Sequence, residues 1–272
     1  MVRQVNSVTV TDRRAAPPAG EMKGRRDAVR LTGVSKVFGR GGSAVRALDQ
    51  VSLEVPPGEF TCLIGASGCG KSTLLSLVAG LEQPTSGEVS TAGATVAFMF
   101  QEPALFPWLT AAGNVELALR ARGVGRAERR ERTAELLKTV RLTGFGGKRP
   151  HQLSGGMRQR VALARALAQD ADVLLMDEPF GALDAMTRDV LHDELDRICA
   201  GRALTVLFVT HNVREAVRLG DRVIVLSSRP GRVIAEFDVP IERPRRIDSA
   251  PVAELAAQVT DRLREEMSRD AS

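Results

Sequence analysis

The chain has 272 residues, of which 43% are hydrophobic and 26% charged, as expected for a folded protein of one domain or one domain with an inserted lobe. Aromatic residues make up only 4%, and Tyr is absent, which argues against stacking platforms for single-stranded nucleic acid. Three cysteines without a CxxC pair exclude a disulfide framework and a zinc pattern and favour a reducing compartment. We find neither an apolar run long enough to span a membrane nor a secretory signal.

The N-terminal stretch, residues 1–26, is polar, contains Pro and Gly and lacks periodicity, which predicts a disordered leader. Residues 1–30 hold seven basic and three acidic side chains, so they carry most of the formal net charge of +5. The remainder is almost neutral, and we therefore expect no nucleic-acid partner. A weak attraction of the leader to an anionic membrane surface is a hypothesis.

Strand and helix patterns alternate along the rest of the chain. Short strands are predicted between Ala28 and about Pro56, and residues 110–168 are rich in helix patterns. Later segments predict the strands Val173–Met176, Thr205–Val209 and Val223–Leu226 and the helices 186–199, Val213–Leu219 and 252–267. This order is typical of an α/β fold with a mainly parallel sheet, covered by helices and interrupted by a helical subdomain.

The segment Gly65–Ser72 fits the phosphate-loop pattern G-x-x-x-x-G-K-[ST]. It follows the apolar strand Phe60–Ile64 and precedes a helix pattern, which is the context that the motif requires. Glycines let the backbone N–H groups surround a phosphate, Lys71 reaches the β- and γ-phosphates, and the Ser72 hydroxyl can bind Mg²⁺. The predicted phosphate-binding residues are Gly65, Ser67, Gly68, Cys69, Gly70, Lys71, Ser72 and Thr73.

Two carboxylates, Asp177 and Glu178, follow the buried-type strand Val173–Met176. An acidic pair at a strand end is usually a turn, but beside a phosphate loop Asp177 is placed to hold Mg²⁺. Glu178 can then orient or deprotonate the attacking water. The combination predicts hydrolysis of a nucleoside triphosphate.

Gln101 and His211 also follow strand patterns, and each could have an ordinary structural role instead of a role in the site. A strand-end histidine is more often structural than catalytic, and a glutamine of this kind is more often a surface residue. If they belong to the site, Gln101 could reach both Mg²⁺ and the attacking water.

The segment Leu153-Ser-Gly-Gly-Met157 settles the choice of family. It resembles the LSGGQ signature of ABC-transporter ATPases, with Met157 in place of Gln. Phosphate loop, Gln101, signature, Asp177–Glu178, Asp184 and His211 follow the family's order over roughly residues 28–235. The resemblance implies a P-loop NTPase with a RecA-like core, an antiparallel β subdomain and an inserted helical subdomain at about 102–168. We place the ATPase domain at 27–240 and a short C-terminal helical extension at 241–272.

Several roles are implied by the resemblance alone. Phe38 matches the aromatic residue that stacks on adenine, although it could instead belong to the core. Lys71, Gln101, Glu178 and His211 match catalytic residues, His211 as the switch histidine at the γ-phosphate. Ser72, Gln101 and Asp177 match magnesium ligands. Ser154, Gly155 and Gly156 match signature positions that contact ATP bound to the other subunit of a head-to-tail dimer. Asp184 matches the Asp loop and is also counted among the nucleotide-binding residues. Two positions depart from the family pattern. Met157 is expected to be tolerated, and Asn212, after the switch histidine, stands where Asp is common and removes one charge near the γ-phosphate.

The resemblance also implies partners. A cassette without a membrane span needs separate permease subunits, and an importer also uses a solute-binding protein indirectly. The apolar cluster Leu105, Phe106, Trp108 and Leu109 suits docking of a permease helix, although it could also be an internal patch. We therefore expect a peripheral protein at the cytoplasmic face of the cell membrane.

The segments Gln101–Thr110, Asp177–Arg188 and Leu226–Arg232 resemble importer ATPases for nitrate, sulfonate and taurine. Related importers of thiamine precursors or riboflavin share these strings, so the solute stays open. Two other hypotheses are a soluble ABC ATPase in translation or DNA repair and a non-enzymatic, nucleotide-gated adaptor. The single cassette without a long coiled-coil insertion disfavours the first, and the intact motif residues disfavour the second.

Overall fold

A computed structural model describes residues 27–181, 183–201 and 204–270. The predicted disordered leader, residues 1–26, lies outside them. Over the described ranges, no helix is long and apolar enough to cross a membrane.

A three-stranded antiparallel sheet forms the first layer. Strand β1 (Val29–Phe38) lies in its centre, between β2 (Val45–Val55) and β4 (Ser86–Ser90). Alternate residues of β2 are buried, as expected for a sheet with one face against the core. The short strands predicted up to Pro56 are thus two long ones of 10 and 11 residues. Register shifts interrupt their pairing, which explains why the sequence pattern looks broken.

The second sheet has six strands in the order β5-β6-β7-β3-β8-β9. Its first five members are parallel to their neighbours, and β9 runs antiparallel to β8. The six strands of this sheet are β3 (Phe60–Ile64), β5 (Val96–Met99), β6 (Val173–Asp177), β7 (Thr205–Val209), β8 (Arg222–Leu226) and β9 (Val233–Asp238). The strands β3, β6 and β7 are buried on both faces, which accounts for their continuous apolar sequences.

Seven α-helices are described, and two short 3-10 turns occur at Gly41–Ser43 and Pro150–Gln152. The helices are α1 (Lys71–Val78), α2 (Ala111–Ala121), α3 (Arg126–Thr139), α4 (Gly155–Leu167), α5 (Ala185–Gly201), α6 (Val213–Leu219) and α7 (Ala250–Asp270). Helices α2, α3 and α4 lie in the chain between β5 and β6, where the inserted helical subdomain was expected. The boundaries of that subdomain stay a prediction.

Two hydrophobic cores lie on opposite faces of the six-stranded sheet. Along β3, Cys62 and Ile64 belong to one core, whereas Leu63 belongs to the other. The core around Leu63 includes α1 and the antiparallel sheet, and the other core includes residues of α2 to α7. Because both faces of the sheet are covered, the carboxyl ends of its parallel strands are left as the place for a site.

The chain after β9 is attached to α6 by a buried arginine. Arg245 is 5% exposed and donates hydrogen bonds to the carbonyls of Ile241 (2.6 Å) and Val239 (3.1 Å). It also donates to the carbonyl of Gly220, just after α6 ends. A cation at a helix C-terminus is electrostatically favourable. Helix α7 then packs its apolar residues Val252, Leu255 and Val259 into the core.

Candidate functional site

The phosphate loop connects β3 to α1, at the carboxyl end of the sheet. Gly70 precedes the first residue of α1 with a φ of +104°, a conformation that other residues rarely adopt. A Cβ at Gly70 would also lie 2.8 Å from the carbonyl oxygen of Ala47 in β2. Glycine is therefore required here both by the turn and by the antiparallel sheet behind it. The helix N-terminus faces the loop and is a favourable place for a phosphate.

Lys71 is almost buried, with 7% of its surface exposed. Its Nζ donates hydrogen bonds of 2.9 Å to the carbonyls of Gly65 and Ala66. The ammonium group is thus held by neutral oxygens of its own loop rather than by a carboxylate. It can exchange these carbonyls for phosphate oxygens, which accept stronger, charge-assisted hydrogen bonds.

Asp177 is the last residue of β6 and is 7% exposed. Burial raises the pKa of Asp177 above its ordinary value, and a hydrogen bond from the Ser72 hydroxyl opposes that rise. The structure therefore joins two of the three residues that were predicted to bind magnesium, Ser72 and Asp177. A hydroxyl and a carboxylate are hard oxygen donors of the kind that Mg²⁺ prefers, so these residues fit the ion.

Glu178 and His211 meet across the ends of β6 and β7. His211 Nδ1 lies 3.0 Å from Glu178 Oε2. The backbone of Glu178 has a φ of +44°, which is uncommon for a residue with a side chain, and its N–H donates to the carbonyl of Val209. Unusual backbone conformations of this kind concentrate at functional sites. The imidazole is 69% exposed and the carboxylate 23%, so both can be reached from solvent.

All of these groups except Asp177 line one cavity of about 490 Å³. Its wall includes the predicted residues Phe38, Gly65, Ser67, Gly68, Gly70, Lys71, Ser72, Thr73, Gln101, Glu178 and His211. Asp177 is connected to the cavity by its hydrogen bond with Ser72, which lines it. The side chain of Cys69 is buried behind the loop. The cavity is large enough for a nucleotide.

Phe38 lines the cavity and is 40% exposed, so it is not a core residue. Lys36 Nζ lies 4.8 Å from the centroid of the Phe38 ring. That ammonium is fixed by Glu82 Oε2 at 2.7 Å and by the carbonyl of Gln83 at 2.8 Å. The Phe38 ring thus makes a cation–π contact with an ammonium group that is itself held in place, and this contact orients the ring.

The signature residues lie elsewhere. Among the described residues that line the cavity, Ser154, Gly155, Gly156 and Asp184 do not occur. Ser154 is exposed at the start of α4, where its Oγ accepts a hydrogen bond from Met157 N–H. Asp184 accepts hydrogen bonds from the backbone and hydroxyl of Thr187, which lower its pKa.

The segment after Gln101 is tied to the signature helix α4. Gln159 Nε2 donates to the carbonyl of Gln101 at 2.6 Å, and Arg165 donates to the carbonyls of Pro103 and Ala104 at 2.8 and 2.7 Å. Arg165 therefore has a structural contact.

The apolar cluster is partly exposed. Trp108 is 66% exposed and Phe106 37%, with ring centroids 5.3 Å apart, whereas Leu105 packs against the core. The turn is held by buried Asn114, whose Oδ1 accepts from the N–H of Phe106 at 2.8 Å. The alternative of an internal patch thus holds for Leu105 but not for Trp108.

Three residues near the site were not identified from the sequence: Lys36, Gln159 and Arg229. Arg229 lines the cavity and contacts the phosphate loop. Only its place in the string Leu226–Arg232, which marks the resemblance to importer ATPases, could have drawn attention to it.

The two sheets, the phosphate loop and the residues at the strand ends define a P-loop nucleoside triphosphatase. Comparison with known proteins gives the same class. Residues 48–181 match the family "ABC transporter". The ATP-binding cassette MJ0796, solved as a dimer in a post-hydrolysis state with ADP and Pi, superposes with a TM-score of 0.73 at 36% identity, covering 79% of this chain and 100% of that one.

Curated relatives are similar over most of the chain. An "aliphatic sulfonates import ATP-binding protein" of Mesorhizobium japonicum is 46% identical over 252 residues, which are 90% of this chain and 92% of the relative. A "taurine import ATP-binding protein" of Burkholderia pseudomallei is 48% identical over 217 residues, or 77% and 84% of the two chains. The chain belongs to the ABC transporter family. It is an ATP-binding subunit with ATPase activity that drives transport.

Proposed function

We propose that this chain is the ATP-binding subunit of an importer for small sulfonated solutes such as aliphatic sulfonates or taurine. The observation that carries the catalytic part is the Glu178–His211 pair, which lines the same cavity as Lys71 and the phosphate loop. The solute class is supported by the names of relatives at 46% and 48% identity.

The residues divide the work of phosphoryl transfer. Backbone N–H groups of the phosphate loop and Lys71 bind the phosphates, and the adenine stacks on Phe38. Glu178 accepts a proton from the attacking water, and His211 holds both the Glu178 carboxylate and the γ-phosphate. Ser72, Asp177 and Gln101 would hold Mg²⁺, which neutralises charge that develops on the phosphate oxygens.

A second copy is needed to complete the site. Ser154, Gly155, Gly156 and Asp184 lie outside the cavity of their own chain and are accessible. A two-fold symmetric, head-to-tail dimer lets these residues contact ATP bound to the partner. The dimeric form of the similar cassette MJ0796 supports this arrangement. Because ATP then contacts both chains, its binding favours the closed dimer and its hydrolysis releases it.

The remaining partners follow from transport. Permease subunits dock on the apolar cluster around Trp108, which lies a few residues after Gln101, so closure of the dimer is transmitted to the membrane. A solute-binding protein acts on the permease and reaches this chain only indirectly. The chain would therefore work at the cytoplasmic face of the membrane.

The test uses the variant Glu178→Gln in the full chain. We expect phosphate release to fall by at least about 100-fold, because no base remains for the water, while ATP binding persists and a dimer accumulates with ATP and Mg²⁺. Glu254→Gln, at an exposed position on α7, is the matched control and should leave turnover unchanged. Lys71→Ala should weaken ATP binding. Brisk hydrolysis by Glu178→Gln would refute the assignment of the base.

A further inference from the structure

The connection between β8 and β9, residues Ser227–Arg232, is a tightly built loop rather than a loose turn. The N–H of Ser227 donates to the carbonyl of Arg232 at 2.8 Å, and Ser227 Oγ accepts the N–H of Arg232 at 2.9 Å. The same Oγ lies 2.8 Å from the carbonyl oxygen of Pro230. These bonds close the loop on itself and limit where Arg229 can point.

The loop is also fixed to the antiparallel sheet and to the phosphate loop. Gly231 N–H donates to the carbonyl of Ala47, and Gly231 O accepts from Asp49 N–H, at 2.9 and 3.0 Å. The carboxylate of Asp49 binds the guanidinium of Arg232. A Cβ at Gly231 would lie only 2.2 Å from the carbonyl oxygen of Cys69, so only glycine permits this close approach.

From this support, the Arg229 side chain reaches the turn of the phosphate loop. Its Nε and Nη2 both lie 3.2 Å from the carbonyl oxygen of Gly68. The N–H of the same peptide unit, on Cys69, donates to the carbonyl of Ala66 at 3.3 Å. Both ends of the Gly68–Cys69 peptide are therefore held, and Arg229 is the residue that donates to its carbonyl within the described part of the chain.

Arg229 has no carboxylate partner within the part of the chain that the structure describes, and it lines the cavity together with Phe38 and Val45. An unpaired guanidinium beside a phosphate loop favours an anionic ligand. Because Arg229 is hydrogen-bonded to the phosphate loop, its positive charge lies beside the loop that its donors hold.

We propose that Arg229 is a positioning residue of the nucleotide site, which orients the Gly68–Cys69 peptide so that the phosphate loop is preformed for the phosphates of ATP and ADP. This inference rests on the proposed function of the cavity. It predicts an effect on nucleotide affinity, since a preformed loop does not have to be ordered by the ligand. The reaction itself does not need Arg229.

The experiment compares Arg229→Gln and Arg229→Lys with the wild-type chain and with Arg246→Gln, an exposed arginine near the start of α7. Calorimetry gives the Kd for ADP, and phosphate release gives KM and kcat for ATP. For Arg229→Gln we expect Kd and KM to rise about 2- to 13-fold, the effect of losing one exposed hydrogen bond, with kcat within about twofold. Lysine keeps a charged donor and should restore most of the affinity, and Arg246→Gln should match wild type.

Hydrogen exchange of the amides of residues 66–70 without nucleotide supplies a second readout, which we expect to be faster in Arg229→Gln. Unchanged ADP affinity, or a lower kcat at unchanged KM, would overturn the inference. Lys71→Ala is measured in parallel. If Lys71→Ala also binds ADP normally, the proposed nucleotide site itself is wrong. If Lys71→Ala loses binding while Arg229→Gln does not, only the role of Arg229 is wrong.

Discussion

The side-chain amide of Gln159 donates a hydrogen bond of 2.6 Å to the backbone carbonyl of Gln101. Gln159 lies in the signature helix α4 and is 3% exposed, whereas Gln101 lines the nucleotide cavity. The signature surface, which we expect to face the partner subunit, is therefore joined to the segment that precedes the apolar cluster. A shift of α4 on dimer closure would move both together.

Replacing Gln159 with Leu tests this connection. The substitution leaves a carbonyl without its donor, and we expect about 1–3 kcal/mol less stability and a several-fold lower kcat, because Gln101 loses its support. Chemical denaturation and phosphate release measure the two effects. Gln258→Leu, at an exposed position of another helix, is the control. Wild-type turnover in Gln159→Leu would show that the bond does not position Gln101.

Replacing Phe38 with Ala tests the adenine platform. Loss of a stacking ring should weaken ATP binding about 2- to 12-fold, whereas binding of inorganic triphosphate should not change. Phe38→Tyr keeps the ring and should bind ATP as the wild type does. Phe145→Ala, which removes another half-exposed ring, controls for loss of surface area. Equal losses for ATP and triphosphate would mean that Phe38 supports the fold and not the base.

The double variant Phe106→Ala, Trp108→Ala tests the apolar cluster. We expect weaker association with the permease in a pull-down with co-expressed membrane subunits, because Trp108 offers the largest exposed apolar side chain of the cluster. The Kd for ADP should stay the same. Leu81→Ala, at an exposed apolar position a few residues after α1, is the control variant. Undiminished association would place the docking surface elsewhere.

We expect the contact between Asp172, just before β6, and Thr95, just before β5, to depend on pH. Its Oδ2 accepts from the N–H and the hydroxyl of Thr95 at 2.8 and 2.7 Å, and these bonds lower the pKa of Asp172. A lowered pKa in the folded state contributes stability above the pKa of the unfolded chain, and that contribution is lost as pH falls through the folded value.

Asp172→Ala should therefore destabilise the chain at about pH 7, and its difference from wild type should narrow as the pH is lowered below about 4. Denaturation curves at a series of pH values measure this difference. Asp238→Ala, at an exposed position, should show no such trend. A difference between Asp172→Ala and wild type that stays constant with pH would contradict the role of the charge.

The central strands and the phosphate loop could be predicted because their signals are local. Phe60–Ile64 is a continuous apolar run buried on both faces, and the loop that follows has its functional residues in sequence. Strands β4 and β9 were missed. Both lie at sheet edges, and β4, with the sequence Ser-Gly-Glu-Val-Ser, is mostly exposed, so it needs little hydrophobic pattern.

The site residues Arg229 and Lys36 were missed for a different physical reason, because their contacts are made by the folded chain. Arg229 reaches Gly68 across 161 positions of sequence, and Lys36 depends on Glu82 and Gln83 to hold it beside Phe38. An arginine or lysine by itself gives no sign of such contacts, because charged residues are common on any surface. Only the folded chain brings their partners together.

The position of β3 has a consequence for the order in which the molecule can be assembled during synthesis. β3 pairs with β7 on one side and β8 on the other, and both are made about 145–160 residues later. Until then, the strand that leads into the phosphate loop has no sheet neighbour, and such distant pairings form slowly. A ribosome-bound chain that ends before residue 205 would hold the complete phosphate-loop sequence and still bind ATP poorly. Nucleotide binding by the growing chain would thus report completion of the sheet.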